Sequence, residues 1–157
     1  IIHKIRSSPS TPNGGLMKQT IGLITLVVDE YEPAIDFYVN KLGFKLIEDT
    51  PIPEEAKRWV VVAPNGSSGT QLLLARAADE QQSSRIGNQT GGRISMFLYT
   101  DDFYRDHQAY QSKGIVFVRP PKKERYGKVA VFKDLYGNLW DLIQLTGSTG
   151  IDPNPKK

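Results

Sequence analysis

Shifted against itself by 72 positions, the chain meets its own second half. Leu26 falls on Leu98, Asp29 on Asp101, Tyr31 on Phe103, Tyr38 on Tyr110 and Lys41 on Lys113. Toward the end of each half the offset becomes 70, which sets Gln71 against Asp141 and Leu72 against Leu142. Few identities survive, yet every element meets a counterpart, as in an internal duplication. That restricts the fold to two copies of one small unit, and 157 residues suffice for two such modules.

The unit itself is readable. Ile21 to Val28 is apolar and β-branched, as a buried strand is. Asp29-Glu30 then opens a helix in which Tyr31, Ala34, Ile35, Tyr38 and Leu42 recur at spacings of three and four. Pro33 suits its first turn and Gly43 its end. Three short strands follow at Phe44 to Ile47, Trp59 to Ala63 and Gln71 to Ala75. The second half repeats the order: a strand at Ile94 to Thr100, a helix from Asp101-Asp102 to Lys113 stopped by Gly114, then strands at Ile115 to Val118, Lys128 to Phe132 and Asn138 to Leu145. The expected fold is mixed α+β, two βαβββ modules whose curled sheets enclose a cavity.

The modules are expected at 17–75 and 93–146, joined by a linker over 76–92 and followed by a flexible tail at 147–157. Residues 1–16 show no period and are rich in Ser, Pro and Gly, so they read as a tag or vector-derived arm ahead of Met17. Without Lys4 and Arg6, 18 basic residues face 17 acidic ones and the net charge drops from +3 to +1. Such a balance gives nucleic-acid binding no basic stripe. No apolar run approaches the roughly 20 residues of a membrane helix. The absence of cysteine removes disulfides, thiolate metal sites and cysteine nucleophiles. Nothing marks secretion, and the expected setting is the cytoplasm. Nucleophile-elbow, Walker, dinucleotide and H-E-x-x-H motifs are absent.

Two stretches carry a family resemblance. Asp29-Glu30 leading to Ala34-Ile35-Asp36-Phe37-Tyr38 and then Lys41-Leu42-Gly43-Phe44 resembles the first half of the glyoxalase / bleomycin-resistance / extradiol-dioxygenase superfamily, the vicinal-oxygen-chelate proteins. Asp134-Leu135-Tyr136-Gly137-Asn138-Leu139-Trp140-Asp141-Leu142 resembles its closing motif. The resemblance implies four inward ligand positions in metal-dependent members, typically His or Glu. These carry over to Leu23, Gln71, Ser95 and Asp141. Leu23 has no donor atom, Gln71 and Ser95 offer neutral oxygens, and Asp141 is the single anion, a poor set for a transition ion. His107, four residues after Phe103 and three before Tyr110, is expected at the edge of the helix–sheet core, away from the cavity. No metal and no cofactor are therefore expected, as in the bleomycin-resistance branch.

Strand alternation places the lining. Leu23 brings Ile21, Thr25 and Val27 inward; Ser95 brings Phe97 and Tyr99, with Arg93 at the mouth; Gln71 brings Leu73; and Asp141 brings Leu139 and Ile143. Trp59 joins as a cavity candidate, whereas Trp140 faces the helices. The expected ligand contacts are Asp141, Gln71, Ser95, Phe97, Tyr99, Trp59, Leu23 and Arg93. A lone carboxylate among aromatic rings favours a cationic or neutral aromatic small molecule over an acid, unless Arg93 cancels it. The charged stretch Pro120 to Gly127 reads as a solvated loop. Two functions follow: a binding protein for a small organic molecule, or an enzyme of the same superfamily (lyase, isomerase or dioxygenase type) using Asp141 as acid/base or a divalent ion. A homodimer is expected, because open half-barrels would otherwise expose apolar strands.

Overall fold

The computed structural model describes residues 18–147; the arm at 1–16 and all but the first residue of the tail lie outside them. β1 (Leu23–Val28) leads into α1 (Tyr31–Ile35), which widens into a π-helical stretch at Asp36–Lys41. Its backbone bond from Leu42 N to Phe37 O spans five residues, and Gly43 at φ +79° ends it. β2 (Lys45–Ile52), a 3₁₀ turn at Pro53–Glu55, β3 (Lys57–Ala63) and β4 (Gln71–Arg76) complete the first module. The short α2 (Glu80–Ser83) lies between the modules. β5 (Ile94–Tyr99), α3 (Phe103–Ser112), β6 (Phe117–Glu124), β7 (Gly127–Lys133) and β8 (Leu139–Leu145) form the second. Both sheets share one topology, β1-β4-β3-β2 and β5-β8-β7-β6, with the first pair parallel and the rest antiparallel.

Three segments differ from the sequence expectation. The stretch from Pro120 to Glu124, expected as loop, belongs to β6. Prolines are tolerated there because β6 is an edge strand and its register slips between Arg119 and Lys122. β2 runs to Ile52, because the 3₁₀ turn returns the chain as a long hairpin. The stretch expected as a plain linker holds α2, whose N-cap Asp79 accepts from Gln82 N.

The helix-side faces of both sheets merge into one core. Leu26, Val28, Val60, Val62, Leu72 and Leu74 of the first join Leu98, Ala130, Phe132, Trp140 and Leu142 of the second, with Phe37, Tyr38, Phe103 and Tyr110 between them. Each fully buried large side chain contributes about 1.5–3 kcal/mol. Tyr38 packs on Trp140 at 5.8 Å across the module boundary. Its hydroxyl donates to Asp134 Oδ2 at 2.6 Å. Asn138 Nδ2 donates to the same oxygen at 2.7 Å, while the amides of Tyr136 and Asn138 donate to Oδ1 at 2.9 Å. Burial and the Asp134 carboxylate together push the Tyr38 hydroxyl well above its ordinary pKa. The two family-like motifs thus meet as a buried clamp. Because both sheets turn their helix side to this common core, their other faces point outward.

Candidate functional site

The outward face of the first sheet is a trough. A hollow of about 890 Å³ is lined by Leu23, Thr25 and Val27 of β1, Leu73 and Ala75 of β4 and Trp59 of β3. A second hollow of about 580 Å³ adjoins it, sharing Leu23 and Trp59 and adding Gln71. Leu23 and Gln71 stand directly opposite in the parallel β1–β4 register, so alternation puts both on this face. Gln89, from the segment after α2, closes the free edge of β1: its Oε1 accepts from Val27 N at 2.7 Å and its Nε2 donates to Thr25 O at 3.2 Å.

Charge gathers at one end of the trough. The Tyr31 ring lies under Arg58 at 5.0 Å and Arg76 at 5.6 Å. Arg58 is held by Asp49 at 2.6 and 2.9 Å and by Glu32, and its guanidinium holds both carboxyls below their usual range. Arg76 meets Glu30 more loosely, at 3.6 Å. This cluster was missed in the sequence because its charges come from four separated segments. Lys57 of β3, Glu54 and Glu55 of the 3₁₀ turn and, in the second hollow, Glu48 of β2 also line it, around a centre formed by Leu23, Val27, Trp59 and Leu73.

The second outward face is different. Phe97 of β5 and Val131 of β7 flank Asp141 of β8, and Arg119 of β6 faces Val131 in turn. Asp141 is only 8% exposed, and its Oδ1 is enclosed with no hydrogen-bond partner among the described residues. Burial pushes its carboxyl above the ordinary value, and the Arg119 guanidinium opposes that. Arg119, not Arg93, is therefore the cation acting on Asp141. The sequence expectation ended this strand at Val118, six residues early, and so left Arg119 out of it. Arg93 is exposed, with its amide bonded to Thr90 O. Phe97 is 56% exposed, while Tyr99 borders a cleft between the modules. Trp140 is buried on the helix side. His107 stacks against Phe103 and lies 4.2 Å from Phe117, and burial lowers its pKa. The structure thus brings Leu23, Gln71 and Trp59 together on one face and Phe97 and Asp141 on the other.

The family profile of the Glyoxalase/Bleomycin resistance protein/Dioxygenase superfamily matches residues 20–142. The chain belongs to this superfamily. A protein of Shewanella frigidimarina (strain NCIMB 400) is 64% identical over 129 residues, covering 82% of this chain and 96% of that one. Among solved structures, UcmS2 aligns with a TM-score of 0.70 at 26% identity, over 81% of this chain and 98% of its own. TnmS3, an antibiotic binding protein from Streptomyces sp. CB03234, aligns with a TM-score of 0.67 at 30% identity, over 84% and 100%.

The superfamily includes metal enzymes, but the donor set of this chain does not fit a metal ion. Ser95 sits at a bulge of β5, and its hydroxyl donates to Leu139 O at 2.9 Å. The bulge leaves Ser95 outside the register and advances β5 by one residue, so that Phe97 rather than Met96 stands opposite Asp141. Leu23 and Gln71 add one amide oxygen between them, on the other sheet. Among the described residues no three His, Cys, Asp or Glu side chains gather as metal ligands. A single enclosed carboxylate beside an arginine does not suit a divalent transition ion.

Proposed function

We propose that the protein binds a small aromatic or cationic organic molecule without a metal ion, in the manner of the antibiotic-binding members of its superfamily. The observation that carries this reading is the trough of the first sheet: an apolar centre with the Trp59 indole and Leu23, with charged side chains of both signs also lining it. The likeness to an antibiotic binding protein at 30% identity over 84% of this chain supports the ligand class. The enzyme reading is weaker, because Asp141, the carboxyl expected to act as acid or base, is enclosed and lies under the influence of the Arg119 charge.

The reading includes a homodimer. Leu23 and Phe97, 38% and 56% exposed, lie on faces that one chain turns away from its own core. A second copy would set the Phe97–Asp141 face of one chain over the Trp59 face of the other, roofing the trough with aromatic side chains. Tryptophan fluorescence tests both parts, since Trp59 lines the trough and Trp140 is buried as an internal reference. Titration with size-matched aromatic amines, neutral compounds and acids is expected to quench Trp59 saturably, with the acids weakest. Light scattering is expected to give twice the chain mass. A concentration-independent monomer, or a panel that leaves Trp59 unchanged, would overturn the reading.

A further inference from the structure

The two halves of the duplication treat one position differently. β3 and β7 correspond at an offset of 70, and each is followed by a turn closed by the same backbone bond: Ser67 N to Pro64 O at 3.1 Å, and Gly137 N to Asp134 O at 3.1 Å. Pro64 therefore holds the place of Asp134. On the helices, Tyr110 holds the place of Tyr38. In one half the tyrosine hydroxyl reaches across to a buried carboxylate. In the other half Pro64 puts no carboxylate at that turn, and a cleft of about 420 Å³ opens between the modules, bordered by Pro64, Asn65 and Tyr110, with Asp101 and Asp106 on the α3 side.

The cleft is equipped for what is missing. Tyr110 is 8% exposed, yet its hydroxyl has no hydrogen-bond partner among the described residues. Lys41 and Lys113 also border the cleft, and neither has an ion-pair partner among the described residues. Arg105 is engaged by Asp101 at 2.7 Å and Asp106 at 2.8 Å, so these acids are balanced without the lysines. The five charged groups along the cleft sum to +1.

We propose that this cleft binds a small carboxylate anion, which accepts from the Tyr110 hydroxyl as Asp134 accepts from Tyr38 and is balanced by Lys41 and Lys113. The ligand completes a second clamp between the modules, one that comes and goes with the anion. This site is separate from the trough.

The test is an NMR titration of the full chain with sodium acetate against sodium chloride at matched ionic strength. Saturable shifts are expected for the amides of Lys41, Asn65 and Tyr110 with acetate alone. Tyr110→Phe is expected to weaken acetate about fivefold, the loss of one hydrogen bond to a charged group. Pro64→Asp is expected to abolish the shifts, because its own carboxylate fills the site. If that variant does not fold, Lys113→Gln replaces it and is expected to weaken acetate without moving the backbone spectrum. Equal shifts with chloride, unchanged acetate affinity in Tyr110→Phe, or inorganic phosphate outcompeting acetate would each overturn the proposal.

Discussion

The outward face of β1, β4 and β3 is hollow, whereas that of β5, β8 and β7 is filled. On the first, Thr25, Val27 and Ala75 leave room beneath Trp59. On the second, Val131 and Ile143 are buried, and Asp141 is enclosed between Phe97 and the reach of Arg119. The strand order is the same on both sides, so topology does not make the difference. Side-chain volume and the single-residue bulge at Ser95 do, since the bulge changes which β5 residue faces β8. Duplication supplied two equal frames. Substitution then left one hollow and the other filled.

The sharpest way to break this comparison is at the turns that tie the frames together. Asp134→Ala would leave the Tyr38 hydroxyl, the Asn138 side chain and two amides without their acceptor. The expected loss is about 3–5 kcal/mol in urea denaturation, against less than about 1 kcal/mol for Pro64→Ala in the matching turn. Equal losses would mean that the clamp is not where the modules are joined. Next is Trp59→Ala, expected to lower affinity for the best ligand of the amine panel at least tenfold by calorimetry, about 1.4 kcal/mol or more. Phe97→Ala on the other face is expected to cost about threefold, and a larger loss there would reverse the roles of the two faces.

Asp141→Asn sharpens the comparison through pH. Because burial raises the carboxyl in the folded state, the native protein holds that proton more tightly than the unfolded chain does. Stability from this group therefore falls as pH rises above the usual carboxylate range, and it stays lowered at neutral pH. The substitution is expected to stabilise at pH 7 and to have almost no effect at pH 3, where both states are largely protonated. A loss at pH 7 would show that the Arg119 attraction outweighs burial. The smallest effect is expected at Gln89→Ala. Losing the two bonds to β1 should cost about 1 kcal/mol and speed hydrogen exchange at the Val27 amide, which measures how far the trough depends on its edge.

Much of the frame was legible because it rests on local chemistry. Gly43 and Gly114 do take positive φ, Asp102 does cap α3, and the apolar positions of α1 do face the core. Strand alternation carried Leu23, Thr25 and Val27 to one face for the same reason. Relations between segments distant in the chain were not legible. Arg119 reaches Asp141 only through the slipped register of an edge strand. The Tyr31–Arg58–Arg76 stack joins a helix start to two strand ends, and Ser95 loses its place to a bulge. The bond from Tyr38 to Asp134 links residues 96 apart, which no periodicity reports.

The π-helical stretch accounts for a difference in length between the halves. Between Tyr38 and Gly43 there is one residue more than between Tyr110 and Gly114, the matching glycines at φ +79° and +78°. The chain rejoins the helix carbonyl six residues on in the first half, from Phe44 N to Tyr38 O, and five on in the second, from Ile115 N to Tyr110 O. A helix accommodates one inserted residue by widening a single turn, without displacing what lies on either side. The offset between the halves accordingly drops from 72 at the tyrosines to 71 at the glycines. The wide turn is where the first half takes up the one residue by which the two halves differ, with Tyr38 left in register with Tyr110.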